Sequence, residues 1–232
     1  MPLGFGRSIL TTSSSASPLA GANSISGYSS LAGAINRFGG GSLNPQDQND
    51  YVEVDINPVS WSFSKDKEWT FEFWHYTGSS SGSINRTLVE FAAGSNQTPN
   101  DGVIIDTSDI IYFRAGGNII ASYGISLNTW YHLAMVCDGS GGGNNYKCYV
   151  GGDLKGTGNW TTTSGEIFRI GATYSSANGK NTYVDELRLS DNQRYTGNFT
   201  APGEPFDPDL NTLLLMHFNF SPSALYDSTA DL

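Results

Sequence analysis

The chain has 232 residues, enough for one large β-sandwich without a second domain. Charged residues make up only 15 % and glycines number 28, a balance that suits short strands and tight turns and argues against a helical protein. The formal charge of −10 repels phosphate backbones and anionic lipid, so neither nucleic acid nor a membrane surface is expected as a partner.

Residues 1–36 read as an extended N-terminal arm. The stretch from Thr11 to Ala34 is Ser, Ala and Gly with scattered apolar residues and no charge. Met1 to Arg7 lacks the charged start and long apolar run of a signal peptide. No run of about 18 apolar residues that could span a membrane occurs anywhere in the chain. Alone, the arm cannot offset the roughly 1–2 kcal/mol per residue that ordering its backbone costs. It is therefore either a disordered leader or a segment that orders on a neighbouring subunit or on its own globular domain. In the second case Leu3, Phe5, Ile9, Leu10, Leu19, Ile25, Tyr28, Leu31 and Ile35 are the expected anchors.

From Phe38 the pattern becomes β. Tyr51 to Ile56 alternates apolar residues with acids, and Trp69 to Tyr76 is the strongest strand. Period two sets Trp69, Phe71 and Phe73 on the core face and Thr70, Glu72, Trp74 and Tyr76 on the other. Further strands are expected at Thr87–Ala92, Gly102–Asp106, Ile110–Arg114, Ile119–Tyr123, Trp130–Cys137, Tyr146–Val150, Phe168–Ala172, Tyr183–Ser190 and Leu213–Phe218. Gly116-Gly117-Asn118 is a hairpin turn, and Asp138 to Asn145 is too glycine-rich to be other than a loop. About a dozen short strands with no helix predict an all-β, two-sheet antiparallel sandwich over residues 37–232.

The chemistry-bearing residues are few. Cys137 and Cys148 form neither a disulfide framework nor a zinc motif. They sit at mirror positions about the glycine-rich loop, so a regular hairpin would set them face to face; reduced or partly oxidised thiols are expected. His75, His132 and His217 lie in strand-like sequence and read as packed or half-exposed sheet residues. Asp185 and Glu186 are adjacent, so a regular strand points them to opposite faces. Glu72 beside Trp74 is the candidate carbohydrate-binding pair, a carboxylate acceptor next to a stacking ring. The alternative is that both pack beneath a covering loop. No phosphate loop, nucleotide fingerprint or nucleophile elbow is present.

Several stretches together resemble the concanavalin A-like, laminin-G-like jelly-roll family found in secreted and bacteriophage proteins. They are Arg37 to Leu43 with Asp50 to Val54, Trp69 to Trp74, Asn128 to Ala134 with Tyr149 to Gly152, and Phe168 to Gly171 with Tyr183 to Ser190. The ending, Arg194-Tyr195-Thr196-Gly197-Asn198-Phe199-Thr200-Ala201-Pro202, then Pro205-Phe206 and Leu213 to Phe218, is similar to laminin-G-like modules of phage virion proteins. The resemblance implies a jelly roll. Glucanases on this fold use a Glu-x-Asp-x-x-Glu strand, but the nearest match here, Glu53-Val54-Asp55-Ile56-Asn57-Pro58, ends in proline, so no catalytic residue is assigned and no enzyme is expected.

The resemblance further implies a virion structural protein, foremost a capsid decoration or cement protein on the virion exterior, made in the host cytoplasm. Its partners would be the major capsid protein or other virion proteins, with copies forming a homo-oligomer on the particle, attachment through the arm and the jelly roll outward. The alternative is a lectin-like module or a tail or fibre component contacting host-surface glycans. No cofactor or metal site is assigned. Calcium is compatible with the acidity, but Leu43-Asn44-Pro45-Gln46-Asp47 replaces the family's usual aromatic-Asp-Gly turn.

Overall fold

The structure, a computed structural model, describes residues 25–26, 30–32, 35–45, 51–55, 62–80, 85–92, 101–161, 167–171 and 181–218. Among the described residues all regular structure is extended. In chain order the strands are β1 (Ile25–Ser26), β2 (Ser30–Ala32), β3 (Ser42–Asn44), β4 (Val52–Asp55), β5 (Glu68–Thr77), β6 (Arg86–Ala92), β7 (Gly102–Ile105) and β8 (Ile110–Ala115). They continue with β9 (Asn118–Gly124), β10 (Trp130–Asp138), β11 (Tyr146–Val150), β12 (Asp153–Gly158), β13 (Ile167–Ile170), β14 (Thr182–Ser190) and β15 (Thr212–Met216). They form two antiparallel sheets, one in the order β1-β4-β13-β6-β7-β8-β9, the other β12-β11-β10-β5-β14-β3-β2 with β15 also on β14. This is the expected jelly-roll sandwich.

The alternation in β5 organises the core. Trp69, Phe71 and Phe73 are fully buried between the sheets. Phe63, Phe91, Trp160 and Phe168 join them, with Trp69 edge-on to Trp160 at 5.0 Å and Phe71 edge-on to Phe91 and Phe168 at 5.0 Å. Such edge-to-face pairs add to the burial that large rings already supply. The β8–β9 hairpin turns at Gly116 (φ 56°) and Gly117 (φ 80°), the double left-handed conformation that a two-residue turn requires.

β12 was not expected from the sequence, because its two glycines obscure the pattern of Asp153-Leu154-Lys155-Gly156-Thr157-Gly158. The glycines have a packing reason. β12 and β9 are the edge strands on one side, and β9 comes close: a Cβ on Gly156 would lie 2.4 Å from the Ile120 carbonyl oxygen, and one on Gly158 2.5 Å from Ile120 Cδ1.

On the other side, two stretches of the expected arm serve as edge strands. β1 pairs with β4 (Ile25↔Val54), and β2 pairs with β3 (Leu31↔Leu43). The outward backbone groups of β4 and β3 thus find partners in the same chain. Of the expected anchors, Ile25 and Leu31 thus lie on strands of the sandwich itself, and Ile35 is half-buried. Leu3, Phe5, Ile9, Leu10, Leu19 and Tyr28 lie outside the described residues.

The cysteines do not face each other. The hairpin register pairs Cys137 with Tyr146 and Met135 with Cys148, two residues off the mirror arrangement about the loop. Both are buried free thiols. Burial raises the Cys137 pKa to about 11 and that of Cys148 further.

Two outcomes are expected. Phe71→Ala costs about 3–5 kcal/mol in chemical denaturation through lost burial and a cavity. Cys137 and Cys148 resist alkylation in the native state, and both react in denaturant without reductant; protection that only reductant relieves would show a disulfide.

Candidate functional site

The outer face of the β5 sheet is covered. After β14 the chain runs back across it through residues 191–211. Tyr195 and Phe199, stacked at 3.5 Å, rest on Ala134, Val136 and Tyr149. The Phe199 amide donates to the Gly152 carbonyl. Gly152 sits at φ 90°, and a Cβ there would fall 2.0 Å from the Phe199 carbonyl oxygen, so glycine is required.

Glu72 lies at the centre of this covered face and is fully buried. Arg188, its cross-strand partner on β14, donates to Oε1 from Nε at 2.9 Å and from Nη2 at 2.7 Å. Tyr195 donates its hydroxyl to Oε2 at 2.8 Å, and His132 Nε2 on β10 lies 3.0 Å from the same oxygen. Burial alone would raise the Glu72 pKa, but the His132 hydrogen bond, the charges of Arg188 and His132 and the Tyr195 hydroxyl outweigh it and bring the carboxyl to about 2. Arg194 fixes the same segment by a bidentate pair with Asp209 at 2.8 and 2.7 Å and donates from Nε to Ser190 Oγ.

Trp74, the next outward residue on β5, is 5 % exposed and packs against Phe206 and Leu215, with Phe38 edge-on at 5.8 Å. The Arg37 guanidinium lies 4.3 Å from the centre of its ring. Glu72 and Trp74 therefore share a face as alternation requires, but both lie beneath the covering segment, where no sugar ring reaches them.

The expectation that Asp185 and Glu186 point to opposite faces is corrected. A bulge between Asp185 and Arg188, with Glu186 at φ 50°, breaks the alternation. Both carboxylates then take backbone donors from segments over the outer face. Asp185 Oδ2 accepts from the amides of Arg37 at 2.9 Å and Phe38 at 3.1 Å; Glu186 Oε2 accepts from the Phe206 amide at 2.9 Å. His217 Nδ1 sits 2.9 Å from Glu186, and that hydrogen bond raises the His217 pKa. Burial raises Asp185 to about 7 despite the two amides. His75 is buried with Nε2 2.8 Å from Thr77 Oγ1, and burial followed by the Arg86 charge lowers its pKa to about 3. All three histidines occupy the packed or half-exposed places expected of them. Glu53, from the glucanase-like stretch, is held by Arg169 Nε at 2.6 Å across the other sheet.

The cover ends at the level of Trp74. One repeat further along β5, Tyr76 stands in a cross-strand row with Trp130 on β10 and Tyr183 on β14. The three rings are half-exposed, with centroids 5.3 Å (Trp130–Tyr76) and 5.5 Å (Tyr76–Tyr183) apart. Tyr76 donates to Asn128 Oδ1 at 2.9 Å, and Asn128 turns the chain at φ 59°. Among the described residues, neither Trp130 Nε1 nor the Tyr183 hydroxyl has a hydrogen-bond partner. Alternation in β5 already set Tyr76 outward; the row was not visible because it needs the register of two strands distant in the chain. Among the described residues, no group of three or more His, Cys, Asp or Glu is placed to hold a metal ion.

Comparison with known proteins is informative at the level of fold. A family profile, the concanavalin A-like lectin/glucanases superfamily, matches residues 46–195. No curated protein matches. Among solved structures, a Trypanosoma rangeli sialidase in complex with sialic acid is 12 % identical, with a TM-score of 0.56 over 73 % of this chain and 28 % of the sialidase. A candidate carbohydrate-binding protein from Bacteroides ovatus is 18 % identical, with a TM-score of 0.54 over 74 % of this chain and 50 % of that one. The binding domain of botulinum neurotoxin serotype G is 13 % identical, with a TM-score of 0.50 over 72 % and 44 % respectively. The chain thus spans half or less of each of these structures.

Glu72→Gln leaves Arg188 buried without its counter-charge and is expected to cost about 3–5 kcal/mol. The Glu72 pKa, lowered from 4.5 to about 2 by folding, contributes stability that is present above pH 4.5 and lost as pH falls toward 2. Urea denaturation of wild type and Glu72→Gln across that window should show the acid loss of this group in the wild type alone.

Proposed function

The chain belongs to the concanavalin A-like lectin/glucanase superfamily, and from that membership we propose that it is a non-catalytic, lectin-like recognition module that binds glycan through the row Trp130–Tyr76–Tyr183. The row carries this reading. Its rings offer an apolar surface for the C–H faces of a sugar, and the Trp130 Nε1–H and Tyr183 hydroxyl offer polar contacts beside it. The neighbours of carbohydrate-linked name support the ligand class. The absence of catalysis is supported by the occupied carboxylates: Glu72 is paired with Arg188, Glu53 with Arg169, and Asp185 and Glu186 accept hydrogen bonds from backbone amides. Retaining hydrolysis needs an acid and a nucleophile about 5 Å apart, both open to substrate.

A second reading concerns where the module works. The similarity of Arg194–Pro202 and Pro205–Phe206 to the ending of laminin-G-like phage modules supports a component of a bacteriophage virion exterior, decorating capsid or tail and partnered by virion proteins. The solved structures named above are not virion proteins, so the similarity of the ending alone supports this reading. The two readings are compatible, since a glycan-binding module on a particle surface serves attachment to a host.

On a glycan array followed by calorimetry, the full chain should bind neutral or sialylated glycans. Trp130→Ala and Tyr183→Ala should each weaken binding about tenfold, or 1.4 kcal/mol, without a matching loss of stability. Unchanged binding by both variants would remove the row as the site. For the virion reading, deletion of residues 1–24 keeps β1 and β2 and so should leave the fold intact. Loss of co-sedimentation with particles on that deletion would support attachment through the arm, and retention would place the attachment surface on the sandwich.

A further inference from the structure

A cleft lies at the end of the sandwich opposite the aromatic row. β10 begins at Trp130, in the row, and ends at Asp138, beside the cleft, so the two are separated by the length of a nine-residue strand, about 30 Å. The β8–β9 hairpin tip, the glycine-rich loop between β10 and β11, and the exit of β12 border an open cleft of about 380 Å³. That volume is in the range of small-molecule sites. Asn118, Asn144, Asn159 and Thr161 supply its polar groups, with Ile120 and Gly158 among its apolar surface.

No side chain that lines the cleft is charged, on a chain whose formal charge is −10. Charged ligands would find no counter-ion there. A ligand of hydroxyls and C–H faces would find amides and a hydroxyl around an apolar patch. The polar groups are also oriented in advance. Asn159 Oδ1 accepts from the Asn144 amide at 2.7 Å, which fixes that carboxamide and leaves its Nδ2 donors to point elsewhere. One residue on, Asn145 and Trp160 exchange two bonds, Trp160 N to Asn145 Oδ1 at 2.7 Å and Asn145 Nδ2 to the Trp160 carbonyl at 3.2 Å, which clamp the loop to the exit of β12. The Gly116 amide at the hairpin tip is held by Asp101 Oδ1 at 2.6 Å. Among the described residues, the Asn144 carboxamide, Asn159 Nδ2 and the Thr161 hydroxyl have no protein partner. Gly158 keeps the apolar floor open, since any side chain there would displace Ile120.

We propose that this cleft is a second recognition site, taking a neutral mono- or disaccharide independently of the aromatic row. The proposal rests on the lectin-like reading for its ligand class and on the cleft's own geometry for its place. A module with binding sites at both ends can bridge two glycans, or two chains of one polymer, and gain avidity from the pair.

The test is a heteronuclear NMR titration of the full ¹⁵N-labelled chain with glucose, galactose, mannose, N-acetylglucosamine and their disaccharides, with sialic acid as the charged comparison. The expected result is a shift of the Asn118, Asn144 and Asn159 side-chain amides by at least one neutral sugar, and not by sialic acid. Thr161→Val puts a methyl in place of the hydroxyl, and Asn118→Asp puts a charge at the cleft and removes the Nδ2 donor that bonds the Gly116 carbonyl. Each should weaken that binding at least tenfold with an unchanged melting temperature, while Trp130→Ala leaves the cleft shifts in place. Sugar-induced shifts confined to Trp130, Tyr76 and Tyr183 overturn the cleft site and leave the lectin-like reading standing. Shifts at neither end overturn both.

Discussion

A single buried carboxylate ties the parts of this molecule together. Glu72 is the point at which the middle strands of one sheet meet the segment that covers it. A buried charge is tolerated only when it is paired and its lone pairs are filled. Here the partners come from three places in the chain: His132 on β10, Arg188 on β14, and Tyr195 in the covering segment. Loss of Arg188 strands the charge and loss of Tyr195 or His132 leaves Glu72 Oε2 short of a partner, so the register of β5 against both neighbours and the seat of the cover are specified together. The bulge in β14 belongs to the same arrangement, because it lets Arg188 reach Glu72 while Asp185 and Glu186 take the backbone of the chain on either side.

The fold was legible because its core obeys a simple rule. Period-two alternation in β5 put Trp69, Phe71 and Phe73 inside, and they are there. The same rule put Glu72 and Trp74 together on the other face, which is also right. Their availability to a sugar did not follow, since alternation reports which residues share a face and not whether a distant part of the chain lies over it. The cover is made of residues 191–211, which have no strand periodicity; its signal was the ending Arg194 to Phe206, similar to a known family but without an assigned structural task. β12 was missed for the opposite reason, since glycines that weaken a strand in sequence were there to admit Ile120. The cysteine pair fell to a register offset of two residues, which no symmetry of the loop sequence reveals.

Among the described residues, the sandwich treats its sheet edges in two ways. On one side β9 and β12 approach each other so closely that glycine is required. On the other, two short pieces from the N-terminal region add themselves to β4 and β3. Open edges are templates for unwanted pairing. By adding β1 and β2 from its own N-terminal region, the chain leaves less of β4 and β3 open to such pairing.

The separation along the chain between Glu72 and its partners has a consequence for how the protein is made. Arg188 lies 116 residues beyond Glu72, and Tyr195 lies 123. At ribosomal rates of about 5–20 residues per second, β5 waits on the order of ten seconds for them. During that interval the nascent chain displays Trp74 and an unneutralised Glu72 on a bare sheet face, and the sheet itself lacks β14 along its centre. The fold therefore closes from its last-translated end. A messenger truncated before Arg188 would release a chain with most of its core residues present but no means of sealing the sheet, a species suited to capture by chaperones rather than to slow maturation.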